Sequence, residues 1–93
     1  MSTDRPFDPA APYRLNPKVA LRPEPFGALA YHFGTRKLSF LKAPALVELV
    51  RDLEAHPTVL AAVDHLGTAE KDRYLRALAT LAETDMIVPG EAR

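Results

Sequence analysis

Three histidines and a scatter of carboxylates are the residues whose chemistry suits metal binding or proton transfer. Asp52 and His56 stand four apart, a spacing that can put two ligands on one helix face. His56 precedes Pro57 at a frayed helix end, and no third ligand is near in sequence, so no metal site is expected. Asp64-His65 reads as a solvated helix face, with a cation favourably placed near the helix C-terminus. His32 is expected on the surface opposite Lys37, with partner contact as its alternative role. Cysteine is absent, which removes thiolate catalysis, cysteine-held zinc and disulfides. The chain also lacks a Gly-rich phosphate loop, a Gly-x-Ser-x-Gly elbow and an isolated carboxylate pair. The expectation is a protein with no catalytic residue, metal or cofactor of its own.

Main-chain hydrogen bonding is the remaining resource, and residues 21–42, LRPEPFGALAYHFGTRKLSFLK, offer it. Phe33-Gly34-Thr35-Arg36 has the form of a two-residue type II′ hairpin turn, with Gly34 at positive φ. That turn sets Tyr31 opposite Leu38, Leu29 opposite Phe40 and His32 opposite Lys37. Leu29, Tyr31, Phe33, Leu38 and Phe40 then share one face, expected to be the core face. Ala28, Ala30, His32, Lys37 and Ser39 share the other. A third strand, Val19–Arg22, is stopped by Pro23 and Pro25, which cannot donate N–H bonds and so protect that side of the sheet. The opposite edge, Arg36–Leu41, has no proline and no carboxylate. An extended peptide could add there as a further strand.

The rest of the chain supplies the scaffold. Residues 1–12 carry Pro6, Pro9 and Pro12 and read as a flexible tail. Residues 13–88 form the domain, with Asn16-Pro17 as an early turn, and 89–93 a C-terminal tail. Ala43-Pro44 opens a helix bearing Leu46, Leu49, Val50 and Leu53, which Pro57 ends by disfavouring helical geometry at His56. Thr58 caps a short second helix with Val59, Leu60, Val63 and Leu66, and Gly67 is its expected left-handed stop. Thr68 caps a third helix, with Glu70 and Asp72 in its first turn and a stripe of Tyr74, Leu75, Leu78, Leu81 and Ala82 running to about Met86. Ile87 and Val88 add a short extended piece. Strands followed by helices argue an α+β fold, a winged helix-turn-helix-like arrangement of a three-stranded antiparallel sheet and three helices.

At 93 residues the chain is one small domain. Twelve basic and twelve acidic residues cancel, so no net field draws it to nucleic acid or an acidic membrane. Its opening residues, Met1–Pro6, lack the apolar run of a signal peptide, and no stretch is long enough to span a bilayer, which together suit the cytoplasm. A small winged-helix DNA-binding regulator is the competing reading, with Lys71, Arg73 and Arg76 on the recognition helix. Glu70, Asp72, Glu83 and Asp85 interrupt that basic character. A purely structural subunit is a third reading, and an open edge can also pair with a second copy to give a homodimer.

The stretches Tyr13–Pro17, Val19–Ala28, Tyr31–Arg36 and Leu38–Lys42 strongly resemble the peptide chaperone MftB family of mycofactocin biosynthesis. The third helix, Tyr74–Leu78 through Leu81, is similar more loosely. That family is similar to the pyrroloquinoline quinone peptide chaperone, and both are precursor-peptide recognition elements. The resemblance implies a non-catalytic chaperone that binds the leader of a short ribosomal peptide and presents it to a radical S-adenosylmethionine maturase. That enzyme would carry the iron–sulfur clusters and modify the peptide's C-terminal Val-Tyr. It further implies that the leader adds antiparallel to the third strand, here Arg36, Lys37, Leu38, Ser39, Phe40 and Leu41, in the cleft beside the third helix. Lys37, Ser39 and Leu41 are expected along the docking edge, with Leu38 and Phe40 holding the strand to the core. Arg73, Tyr74, Ala77 and Leu81 are the candidates from the helix. The loop Arg22–Gly27, presenting Glu24 and Phe26, reads as a rigid connector, with maturase contact as the alternative.

Overall fold

Alternating residues from Gly27 to Leu41 build the centre of the molecule, a hairpin whose arms are β3 (Gly27–His32) and β4 (Leu38–Leu41). A computed structural model describes residues 7–90. The arms pair in the register expected, Tyr31 with Leu38 and Leu29 with Phe40. The turn itself differs. A four-residue loop closes with His32 N–H donating to Lys37 C=O at 3.0 Å and Arg36 N–H to His32 C=O at 2.7 Å. The left-handed residue is Arg36, at φ +65°, and Gly34 is not at positive φ. Both loop lengths set His32 against Lys37, so the register survives the change of turn. Gly34 is needed for close approach instead, since a Cβ there would lie 2.9 Å from His32 Cε1.

Strand β2 (Val19–Glu24) pairs antiparallel with β3, and the sheet order is β2-β3-β4. A second, two-stranded sheet joins β1 (Tyr13–Leu15) to β5 (Ile87–Pro89), so the described residues form five strands where the sequence suggested three and a short extended piece. Gly90 N–H donating to Pro12 C=O at 3.0 Å extends that clasp. Residues 7–12 lie against the domain: Phe7 stacks on Tyr13 with ring centroids 5.0 Å apart, and Pro9 and Ala11 carbonyls accept from Leu60 and Val59. Residues 1–6 of the expected tail lie outside the described residues.

The helices are α1 (Pro44–Asp52), α2 (Val59–Val63) and α3 (Thr68–Glu83), and a 3-10 turn at Leu53–Ala55 follows α1. Pro44 sits in the first turn of α1, and His56 is extended before Pro57 as steric reasoning requires. Thr58 caps α2, its hydroxyl accepting from Ala61 N–H at 3.0 Å. Three expectations fail here. Leu60 is exposed, its place in the core taken by Ala62. Gly67 is extended rather than left-handed and is itself the N-cap of α3, with Thr68 inside the helix. The left-handed residue falls after α3, at Asp85 (φ +66°). There Met86 N–H donates to Leu81 C=O and Asp85 N–H to Ala82 C=O, the double bond pattern that satisfies terminal carbonyls.

The faces of the sheet are the reverse of expectation. Ala28, Ala30, His32 and Leu41 are buried, while Phe33, Leu38 and Phe40 are 57–60% exposed. The small side chains of β3 let α1, which packs on that strand, approach closely. Leu46, Val47, Leu49 and Val50 of α1 join Tyr74, Leu78 and Leu81 of α3, together with Met86 and Ile87, to complete one core. Phe33 and Phe40 stand on the outer face of the hairpin.

Candidate functional site

Antiparallel pairing alternates between residues whose N–H and C=O face the partner strand and residues whose groups face away. The bond from His32 N–H to Lys37 C=O sets the phase. Lys37, Ser39 and Leu41 therefore turn their main chain toward β3, and Leu38 and Phe40 turn theirs outward. Strand β4 lies at the end of the sheet order, and these outward groups have no backbone partner among the described residues. The side chains follow the same phase. Leu38 and Phe40 stand on the outer face, Ser39 is half-buried and Leu41 is 1% exposed. The expected roles are thus exchanged: Leu38 and Phe40 carry the open edge, and Leu41 anchors the strand to the core.

Beside this edge the outer face is apolar. Phe26 and Phe40 meet edge to face at 5.9 Å, and Tyr31 and Phe33 at 5.3 Å. Arg36 and Lys37 are exposed in the loop, and Lys42 just past the strand. On β2, the exposed Arg22 Nε lies 3.1 Å from Oε2 of the half-buried Glu24. The turn below is held by Gly27, whose φ of +147° and contact with Leu41 C=O leave no space for a side chain.

The α3 candidates divide. Arg73 is exposed, Ala77 half-buried, and Tyr74 and Leu81 belong to the core. The main packing of α3 onto a strand is against β5, whereas β4 rests on β3 and α1. Arg76 is engaged with Asp72 at 2.9 Å.

His32 is buried, not on the surface as expected, and has a structural task. Its Nδ1 accepts from Gly34 N–H at 2.9 Å and Thr35 N–H at 3.1 Å. Two donors at Nδ1 place the ring proton on Nε2, which points at Asp85 Oδ2, 3.3 Å away. Asn16 completes the node: its Nδ2 donates to Asp85 C=O at 2.9 Å and its Oδ1 accepts from Lys18 N–H at 2.9 Å. This cluster ties the hairpin loop to the end of α3. Sequence reasoning missed Asn16 and Asp85, and the sequence hint for His32 was a glycine two residues later, where a ring could fold under the turn. Among the described residues no group of three or more His, Asp or Glu could hold a metal ion. No described helix is long and apolar enough to cross a membrane.

The sequence pattern of the peptide chaperone MftB family matches residues 12–88. This chain belongs to that family. It is 52% identical to the peptide chaperone MftB of Mycolicibacterium smegmatis over 86 residues, covering 90% of this chain and 84% of that one. Identity to the peptide chaperone MftB of Mycobacterium ulcerans is 52% over 88 residues, 92% of this chain and 81% of the relative. The Mycobacterium tuberculosis peptide chaperone MftB is 51% identical over 87 residues, 91% and 80% of the two chains. No solved structure matches. The matched span takes in every strand from β1 to β4, all three helices and most of β5. Family membership makes the protein a peptide-binding chaperone.

Proposed function

We propose that this chaperone binds the leader of a ribosomally made precursor peptide by strand addition at β4 and presents it to a radical S-adenosylmethionine maturase in mycofactocin biosynthesis. It carries out no chemistry itself and acts in the cytoplasm as a winged helix-turn-helix-like recognition element. The observation that carries the reading is the outward row at Leu38 and Phe40 on an edge strand. Two N–H and two C=O groups there, at about 1 kcal/mol net for each bond, supply about 4 kcal/mol. Micromolar affinity needs roughly 8 kcal/mol beyond the cost of ordering the peptide. Covering Leu38 and Phe40, with the peptide side chains that do so, adds about 1–3 kcal/mol for each large side chain buried. Edge and apolar contact together reach the required range.

In this reading Arg36 and Lys37 attract carboxylates of the guest, Ser39 and Leu41 hold the receiving strand, Ala77 packs against the core, and Arg73 is the exposed α3 candidate for contact with the guest. Tyr74 and Leu81 support that helix from the core. The test is an NMR titration of the labelled protein with the leader peptide from the neighbouring reading frame. Leu38 and Phe40 amides are expected to shift and to become protected from solvent exchange. Unmoved Leu38 and Phe40 amides at saturation, or shifts confined to Arg73 and Arg76 on adding duplex DNA, would overturn it.

A further inference from the structure

Strand addition uses the edge of the sheet and leaves its outer face unexplained. Among the described residues, four of the five exposed large apolar side chains lie there: Phe26, Phe33, Leu38 and Phe40, at 41–60% exposure, with Leu29 and Tyr31 half-buried between them. Such side chains present on the order of 400 Å² of apolar surface together, the size at which a patch on a monomer marks a contact site. A standard interface takes roughly 800 Å² from each partner, somewhat over half of it apolar. The patch therefore matches the apolar part of one ordinary protein interface and falls short of the larger, more apolar surface of an obligate homodimer.

Charge narrows the occupant. Residues 25–47 contain no carboxylate, while Arg36, Lys37 and Lys42 border the patch. Glu24 beside it is already paired with Arg22. Two copies meeting through this face would set cations against cations, which costs affinity. The zero net charge of the chain gives no general attraction to an anionic bilayer. We infer that the outer face of β2-β3-β4, centred on Phe26, Tyr31, Phe33 and Phe40, docks a second folded protein through an apolar patch rimmed by carboxylates. The naming of that partner as the maturase rests on the preceding reading; the location of the surface does not. A guest strand beside β4 would set alternate side chains on this same face, so peptide and enzyme would share one continuous surface and bind at once.

The test compares the wild type with the variant F33S, whose position is exposed and lies in the hairpin loop off the β4 edge. Affinities for the leader peptide and for the purified maturase are measured by calorimetry, and thermal melting checks that the fold is kept. The expected result is a maturase Kd raised tenfold or more, with the peptide Kd changed less than threefold. A maturase Kd unchanged within twofold overturns the inference. So does wild-type self-association in sedimentation that the variant abolishes, or binding to phosphatidylserine-containing vesicles that the variant loses in place of maturase binding. If neither protein binds peptide but the variant alone loses the maturase, the docking face stands and strand addition falls.

Discussion

Replacing a single backbone N–H by an ester oxygen separates the outward from the inward groups of β4. The phase set by the His32–Lys37 bond makes the Phe40 N–H an outward donor with no backbone partner among the described residues, and the Ser39 N–H a ladder donor toward Ala30. An ester at Phe40 therefore deletes only a bond to the guest, worth about 0.5–1.5 kcal/mol, and the peptide Kd rises about 2- to 13-fold. Folding stability stays within about 0.5 kcal/mol, the usual range for a surface change. An ester at Ser39 removes one internal bond and strands the buried carbonyl of Ala30, a loss of about 2–4 kcal/mol. At about 4–8 °C per kcal/mol for a domain of this size, Tm drops by at least about 8 °C. Semisynthetic proteins, thermal melts followed by circular dichroism and calorimetric titration with leader peptide provide both readouts. Exchange of the two outcomes would show the phase to be wrong by one residue. An unaltered peptide Kd for both esters would show that the guest does not use this edge.

Gly27→Ala drives a Cβ into Leu41 C=O at a φ of +147°, so a loss above about 3 kcal/mol is expected; a melt shifted by less than about 5 °C would contradict the packing of that turn. His32→Phe fills the same space but leaves the Gly34 and Thr35 N–H groups without their acceptor. Urea denaturation should register a loss of about 2–4 kcal/mol, and amide exchange at those two residues should accelerate. Thr58→Ala removes the cap of α2 and costs about 1 kcal/mol, visible as a Tm lowered by about 4–8 °C. Equal stability in that variant would mean that α2 is held by packing alone.

Local rules were legible wherever neighbours in sequence decide the outcome. The Pro44 start of α1, the stop at Pro57, the Thr58 cap and the apolar stripe of α3 all follow from short-range sterics and spacing. The hairpin register was legible because loops of two or four residues bring the same pair together. The choice of inner face was not, because it depends on which residues another element needs small. Ala28 and Ala30 look unremarkable in the strand, and only the approach of α1 makes them the buried side. Ranking faces by size put the aromatics inside, and the consequences ran through Leu38, Phe40, Leu41 and His32. The β1–β5 pair joins residues more than seventy positions apart, for which alternation over three residues carries no address. The open edge at β4 was readable from where proline and carboxylates are missing, while its phase required the turn.

The clasp between Tyr13–Leu15 and Ile87–Pro89 has a practical meaning for tethering. Tyr13 and Pro89 face each other across one strand spacing, about 5 Å, so the two ends of the clasp meet at nearly one point, and residues 7–12 bond to the start of α2. A cargo fused after β5 would start beside β1. Joining the two sides with a short bridge and reopening the chain in the loop at 33–36 should keep the topology intact, turning the sheet's most exposed corner into a pair of new ends.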